Sequence, residues 1–140
     1  MLGAAGALMG TRFFASEEAL GTAAAKERLV KGHGDDTLRT TIFDTVRKID
    51  WPAPFTGRAL ANDFTQRWHG KEEALAAGLE AENARYTAAA GKGDVDTAVV
   101  WAGDGIDLIH AVEPAEKIVT RIVGEAEACL ARTASLASAG

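Results

Sequence analysis

The chain has a single cysteine, Cys129, among its 140 residues. One cysteine excludes an intramolecular disulfide and any metal site built from several cysteines. Cys129 falls in a helical pattern near the C-terminus, and a free cysteine there is typically a small buried hydrophobe, so we expect it to be buried. The lack of a disulfide framework fits a reducing compartment.

The sequence also lacks an excess of positive charge and any long apolar run. Its 15 basic and 20 acidic side chains give a net charge of -5, which argues against nucleic acid as a partner. No stretch approaches the roughly 20 apolar residues of a membrane span, so we expect no membrane association. The apolar residues 1–10 precede the first positive charge, Arg12, whereas the basic region of a signal peptide comes first. We therefore expect a cytoplasmic protein.

The first half of the chain carries signals for two strands and two helices. Residues 6–15 are apolar at both ends, which is typical of a central parallel strand covered on both faces. Ser16, followed by two acidic residues, predicts the start of a helix. A second helix is predicted over residues 23–30, and the β-branched residues 37–43 predict a strand.

The second half is predicted to be mainly helical. Helices are expected over residues 57–68, 71–90 and 114–132. Residues 98–101 fit either a short strand or the start of a buried turn, and the next four residues fit a loop. The last helix has Pro114 at its first position and one apolar stripe, formed by Ile118, Ile122, Ala126, Cys129 and Leu130.

These elements do not add up to a complete parallel sheet. A strand buried on both faces needs neighbouring strands for its backbone groups, and parallel strands need long crossovers between them. After residues 6–15 only one clear strand and one doubtful strand follow. We therefore expect a truncated domain, a partner subunit or a poorly ordered end, in that order of preference.

The candidate for chemistry is the segment Met9-Gly10-Thr11, followed by a helix start. A glycine lets the backbone approach a phosphate closely, and a hydroxyl and free N–H groups can donate to the phosphate oxygens. Barrels commonly hold a cofactor phosphate with the loops after their last two strands. A Gly-Thr step alone does not specify such a site.

Four blocks resemble the nitronate monooxygenase family, formerly called 2-nitropropane dioxygenases. Their order and spacing match, so the resemblance covers nearly the whole chain, and residues 71–96 are its least specific part. The blocks are LGAAGALMGTRFFASEEA at residues 2–19, DTLRT at 36–40, GRALAN at 57–62 and WAGDGIDLI at 101–109.

The resemblance implies an α/β fold. The chain would be the C-terminal fragment of an FMN-binding (β/α)8 TIM barrel together with its mostly helical small domain. Residues 1–32 would form the last barrel strand and the following helices. Residues 33–110 would form a small helical substrate or lid domain with one or two short strands. Residues 111–140 would form a C-terminal helix that returns to the barrel.

The resemblance also implies a flavin enzyme that oxidises alkyl nitronates with oxygen to a carbonyl compound and nitrite. Met9, Gly10 and Thr11 would contact the FMN phosphate. The loop Ala102, Gly103, Asp104, Gly105 would lie at the flavin or substrate mouth. Many relatives carry glutamine where Asp104 stands, and an acid there would oppose an anionic nitronate.

The residues that would complete the enzyme are expected upstream. The family's catalytic histidine and most of its FMN contacts precede the segment matched here, so no catalytic residue is assigned. The chain is expected to be inactive alone, with an N-terminal barrel segment as a possible partner. Two other functions stay open: a related FMN-dependent NAD(P)H reductase of enoyl thioesters or quinones, and a non-catalytic helical interaction domain, which the amphipathic helices after Thr56 would suit.

Other polar and aromatic residues are given structural roles. Arg12 is expected to pair with Glu17 or Glu18 rather than with a phosphate. Trp51 and Trp68 are expected to pack in the helical domain. Solvated or capping roles are expected for the three histidines, His33, His69 and His110. Metal binding is not expected, because Asp94, Asp96 and Asp104 lack the spacing of a calcium loop.

Overall fold

The computed structural model describes the backbone of residues 5–138 and the side chains as far as residue 133. Within that part the chain forms seven α-helices, two β-strands and two 3₁₀ turns, at Gly34–Asp36 and Asp104–Leu108. The helices and strands, in chain order, are α1 Thr11–Phe14, α2 Ala23–Lys31, β1 Thr37–Thr40, α3 Ile42–Val46, β2 Gly57–Leu60, α4 Asp63–Trp68, α5 Glu72–Ala77, α6 Leu79–Gly91 and α7 Ala115–Ser138.

The predicted buried strand over residues 6–15 is wrong. Residues 5–10 are exposed and have no regular structure, and α1 follows, with the Phe14 N–H donating to the carbonyl of Gly10 at 3.0 Å. Ser16 does not start a helix either, but is buried and forms a parallel bridge to Glu113. A strand covered on both faces needs partner strands, and the described residues offer none beside this segment.

The helix predicted over residues 23–30 is confirmed as α2. Thr22 caps it by accepting a hydrogen bond of 3.2 Å from the Ala25 N–H. The helix buries Leu29 and ends at Gly32, where a Cβ would lie 2.9 Å from Leu60 Cδ2. Capping, propensity and a glycine stop agree here, so local signals were enough to place the helix.

The only sheet in the described part of the chain joins β1 to β2 in antiparallel pairing, with Thr37 opposite Leu60 and Thr40 opposite Gly57. The strand predicted over residues 37–43 is therefore shorter, because Ile42 starts α3. The helix predicted over residues 57–68 is wrong in its first part, which is β2, and right in α4. Long-range pairing with β1 overrides the helical spacing of the apolar residues.

A buried asparagine separates β2 from α4. The Asn62 side chain accepts from the Thr65 N–H at 3.0 Å, and the Asn62 N–H donates to the Thr65 hydroxyl at 2.9 Å. This reciprocal pair satisfies two backbone donors at the start of the helix. The helix predicted over residues 71–90 is also divided, into α5 and α6, at Gly78.

The long C-terminal helix α7 is confirmed, but its predicted buried stripe is wrong. Ile118 is fully buried and Ile122 half-buried, whereas Leu130 is 51% exposed. Cys129, expected to be a buried hydrophobe, is also exposed. Pro114 precedes the helix instead of occupying its first position. The helix therefore docks on the described body only through its first turns.

Two hydrophobic clusters form the core. The first joins α2, β2 and the 3₁₀ turn at Asp104–Leu108, and comprises Ala15, Ala25, Leu29, Leu60, Val100, Ala102, Ile106 and Ile109. The second joins α3 to α4, α5 and α6, and comprises Ile42, Phe43, Val46, Ala59, Phe64, Leu75 and Tyr86. Trp68 packs against the second cluster as expected, but Trp51 is 57% exposed, so its predicted packing is wrong. Across the described residues, none of the helices has the length and apolarity to cross a membrane.

Candidate functional site

One cavity, of about 680 Å³, is lined by both segments that the sequence assigned to a flavin site. Its lining comes from three parts of the chain: residues 8–12 before and in α1, residues near the second 3₁₀ turn, and the first half of α7. The lining residues that follow α1 in the chain are Gly103, Gly105, Leu108, Ile109, His110, Ala111, Glu113, Arg121, Ile122 and Glu125.

Thr11 and Gly103 join the two segments directly. The backbone N–H of Gly103 donates a hydrogen bond of 3.0 Å to the hydroxyl oxygen of Thr11. Met9 and Gly10 are exposed at the same cavity, and Gly105 lines it from the other side. Five of the seven predicted site residues therefore line the same cavity: Met9, Gly10, Thr11, Gly103 and Gly105.

The other two predicted residues lie elsewhere. Ala102 is 3% exposed and belongs to the first hydrophobic cluster. The carboxylate of Asp104 forms an ion pair with Arg58, with 2.9 Å between Oδ1 and Nε. Among the described residues that line the cavity, neither Ala102 nor Asp104 appears. The acid at position 104 is thus matched by a cation on β2.

The backbone at α1 presents hydrogen-bond donors. The first bond inside the helix is donated by Phe14, so the N–H groups of Thr11, Arg12 and Phe13 precede the intrahelical ladder. A Cβ on Gly10 would meet no atom within 4 Å, so the space above this residue is open. Together these groups form a donor-rich edge at the cavity.

Arg12 does not pair with Glu17 or Glu18, so that prediction is wrong. Its Nη2 donates to the carbonyls of Ala15 at 3.2 Å and Ala111 at 3.0 Å, and lies 3.5 Å from the carboxylate of Glu113. Burial lowers the pKa of Arg12, but a guanidinium remains charged. Its Nε is buried without a hydrogen-bond partner among the described atoms.

The carboxylate of Glu113 forms ion pairs with three cationic side chains at the edge of the cavity. Its carboxylate lies 2.8 Å from Arg121, 3.1 Å from Lys117 and 3.5 Å from Arg12. Hydrogen bonds from Arg121 first, and then from Lys117, hold the pKa of Glu113 below its usual range. Three positive charges around one carboxylate give this cluster a net positive charge, and Glu125 adds a further carboxylate to the cavity lining.

The three histidines differ in their environments. His33 Nδ1 lies 2.9 Å from Asp107 Oδ1, and this hydrogen bond raises the pKa of His33. His69 Nδ1 lies 3.3 Å from the Thr40 hydroxyl. Only His110 lines the cavity, and its side chain is exposed. In the described part of the chain, no group of three or more histidine, cysteine or acidic residues is arranged to hold a metal.

The charged residues Glu113, Lys117 and Arg121 at the edge of the cavity were not predicted from the sequence. The spacing of Glu113, Lys117 and Arg121 at four-residue intervals is a signal for ion pairs along a helix, and it would have found this cluster. Nothing in the local sequence marks Arg58 as the partner of Asp104, because that contact depends on how β2 meets residues 101–104.

Comparison with known proteins gives one family. The sequence model of the nitronate monooxygenase family matches residues 1–125. Nitronate monooxygenase npaC from Metarhizium robertsii is 33% identical over 133 residues, which cover 92% of this chain and 37% of the relative. Nitronate monooxygenase from Neurospora crassa is 28% identical over 130 residues, which cover 90% of this chain and 33% of the relative. The chain thus spans roughly a third of these relatives.

Solved structures give a related result for the fold. FabK from Thermotoga maritima matches with a TM-score of 0.66 at 21% identity, over 91% of this chain and 38% of FabK. A mutant form of FabK matches with a TM-score of 0.62 at 23% identity, over 91% of this chain and 35% of that protein. At this level of identity the similarity concerns the fold alone.

Proposed function

The chain belongs to the nitronate monooxygenase family, and we propose that it is the C-terminal part of an FMN-dependent enzyme that oxidises alkyl nitronates with oxygen to a carbonyl compound and nitrite. In that enzyme it supplies the side of the flavin site that holds the phosphate. The observation that carries the proposal is the bond between Thr11 and Gly103, which brings two distant family motifs to one cavity.

The residues at the cavity fit a phosphate group. Thr11 accepts from Gly103 and keeps its own hydroxyl proton for a phosphate oxygen. The backbone N–H groups at the start of α1 are further donors, and the charged guanidinium of Arg12 lies beside them at the cavity. Hydrogen bonds between charged groups are stronger than neutral ones, so an arginine beside a phosphate supports binding.

The carboxylates of Glu113 and Asp104 are both paired with cations in this arrangement. The charge of Glu113 is balanced by Arg12, Lys117 and Arg121, and the carboxylate of Asp104 forms an ion pair with Arg58. The substitution of an acid at position 104 is therefore compatible with an anionic nitronate and with the FMN phosphate.

The flavin supplies the electron acceptor of the reaction when it is bound. The chain's own residues bind and orient its phosphate through Met9, Gly10 and Thr11, while Gly103, bonded to Thr11, and Gly105 also line the cavity. We assign the family's catalytic histidine to the upstream part of a complete enzyme and no catalytic residue to this chain.

We further propose that residues 1–32 close a (β/α)8 barrel, that residues 33–110 form its substrate domain and that residues 111–140 return to the barrel. The fold similarity to FabK and the one-third coverage of the relatives support this division. The upstream barrel segment would then be the structural partner of this chain, and the nitronate and oxygen its substrates.

The proposal is tested by titrating FMN fluorescence against the purified chain, with riboflavin as the matched ligand that lacks the phosphate. We expect quenching of FMN and much less quenching of riboflavin. The same titration is repeated on a chimera in which the part of the Metarhizium relative that precedes the matched region is placed before residue 1. If neither protein discriminates FMN from riboflavin, the phosphate site is wrong.

The chimera also separates the remaining candidate functions. Oxygen uptake that depends on a nitronate supports the proposal, whereas NAD(P)H oxidation with an enoyl thioester or a quinone supports the related reductase. A cooperative melt and a defined oligomer of the 140-residue chain, with no flavin bound by either protein, would favour an interaction domain.

A further inference from the structure

Asp104 lies between two glycines of the cavity wall, yet its carboxylate is held outside the cavity. Gly103 and Gly105 both line the cavity, while Asp104 Oδ1 lies 2.9 Å from Arg58 Nε. The Asp104 side chain is 75% exposed and that of Arg58 only 27%. The carboxylate of Asp104 is therefore largely in solvent, whereas the side chain of Arg58 is mostly enclosed by the protein.

Arg58 is fixed by three further contacts. It lies on β2, opposite Arg39 of β1. Its Nη1 donates to the Thr37 hydroxyl at 3.1 Å, and its backbone carbonyl accepts from the Ala102 N–H at 3.1 Å. The same residue thus anchors the backbone that leads into the loop and forms an ion pair with the carboxylate of that loop, in which the buried Nε–H of Arg58 is not aligned for a hydrogen bond.

We propose that Arg58 is a positioning residue that keeps the Asp104 carboxylate out of the cavity and so preserves its affinity for an anionic ligand. The anionic ligand rests on the proposed function, while the placement of the carboxylate does not. Nothing lies within 4 Å of a Cβ on Gly105, so the space beside Asp104 on this side is open. Without Arg58, the carboxylate is free to add an uncompensated negative charge at the cavity.

The size of the effect follows from the exposure of the pair. An exposed ion pair contributes up to about 1 kcal/mol, which corresponds to a change of about fivefold in an equilibrium constant. We therefore expect R58Q to weaken FMN binding by about two- to fivefold. Because the cause is charge, the loss should grow at low ionic strength.

The test is a double-mutant cycle of R58Q, D104N and the two combined, with R39Q as the control. R39Q removes the same charge from the neighbouring strand position and leaves Asp104 paired. Two quantities are measured for each protein. One is the affinity for FMN and riboflavin, and the other is the relaxation of the Gly10, Gly103 and Gly105 amides by a cationic and an anionic nitroxide, which reports the local potential without any ligand.

The inference requires non-additive effects. D104N should change the cavity potential little in the wild-type background and strongly in the R58Q background, and it should restore FMN affinity only in the latter. Equal effects of D104N in both backgrounds would overturn the inference, as would a loss of FMN affinity in R39Q equal to that in R58Q. A non-additive potential in a chain that does not bind FMN would retain the inference and reject the proposed phosphate site.

Discussion

The hydroxyl oxygen of Thr11 accepts a hydrogen bond of 3.0 Å from the backbone N–H of Gly103, 92 positions further along the chain. A second connection runs beside it, where the Glu17 N–H donates to the carbonyl of Glu113 at 3.0 Å. These contacts hold the two ends of the described chain together around the cavity. The site is therefore a product of tertiary structure, and each contact can be tested separately.

Thr11→Val is expected to weaken both stability and phosphate recognition. Valine keeps the branched shape but leaves the Gly103 N–H without its acceptor, which should cost about 0.5–1.5 kcal/mol of unfolding free energy. FMN quenching should fall and riboflavin quenching should change little. Urea unfolding and the two titrations measure these effects. Thr11→Ser, which keeps the hydroxyl, should retain both properties, and Thr120→Val, on the exposed side of α7, should alter neither.

Gly57→Ala is expected to destabilise the chain because a Cβ on this residue would overlap the Trp101 ring. That ring also packs edge-on against Phe43, with centroids 5.9 Å apart, so displacing it would disturb the second hydrophobic cluster. Overpacking of this kind should lower the free energy of unfolding by about 1–3 kcal/mol. Chemical unfolding of the variant and the wild type measures this difference. Trp101 directly precedes the loop at Gly103, so FMN binding should weaken as well.

Gly124→Ala is the matched control for this substitution. Gly124 lies within α7, and a Cβ there would meet no atom within 4 Å. Alanine should therefore stabilise the helix by about 0.5–1 kcal/mol, because glycine loses more backbone entropy than alanine in a helix. An equal loss of stability in both variants would show that the fit of Gly57 against Trp101 is not the cause.

The sequence predicted those parts of the fold whose signals are local. Helix α2 was placed within one residue because helix propensity and the glycine stop at Gly32 agree. Strand β2 was missed because it depends on pairing with β1, whose residues lie 17 to 23 positions away in the chain, with Arg39 opposite Arg58. The failure over residues 6–15 has the same origin, since burial of a strand is set by its neighbours and not by its own apolarity.

At the site, too, the contacts between distant residues could not be predicted from local sequence signals. Thr11 and Gly103 could be placed together from the sequence only through the family resemblance, because no periodicity links residues so far apart. The exposed Asp104 was read as a negative charge at the mouth. Its pairing with Arg58 depends on the geometry of β2 beside the loop, so the sequence alone gave no means of finding it.

Glu18→Gln is expected to remove a pH-dependent contribution to stability. Both carboxylate oxygens of Glu18 accept from the Ala115 N–H, at 3.1 and 2.9 Å, and cap the start of α7. That backbone hydrogen bond is the main reason why the pKa of Glu18 is lowered. A carboxylate with a depressed pKa stabilises the fold above its unfolded pKa, and the contribution disappears as the pH falls through the folded pKa.

The measurement is the unfolding free energy of wild type and Glu18→Gln from acidic to neutral pH. The wild type should be more stable at neutral pH, and the two curves should converge in acid. Glu127→Gln, an exposed change later in the same helix, should leave the pH profile unaltered. Parallel curves for wild type and Glu18→Gln would mean that the cap at Ala115 does not stabilise the charged form.

The exposed thiol of Cys129 reports whether α7 returns to a barrel. In the 140-residue chain, Cys129 is exposed, and so are the apolar side chains of Val123 and Leu130 on the same helix. An amphipathic helix normally buries its apolar face, and thiol reactivity depends on access. We expect a thiol reagent to modify Cys129 of the folded chain nearly as fast as that of the urea-unfolded chain. In the chimera with the upstream barrel segment, modification should slow markedly, and if it does not, residues 111–140 do not pack as proposed.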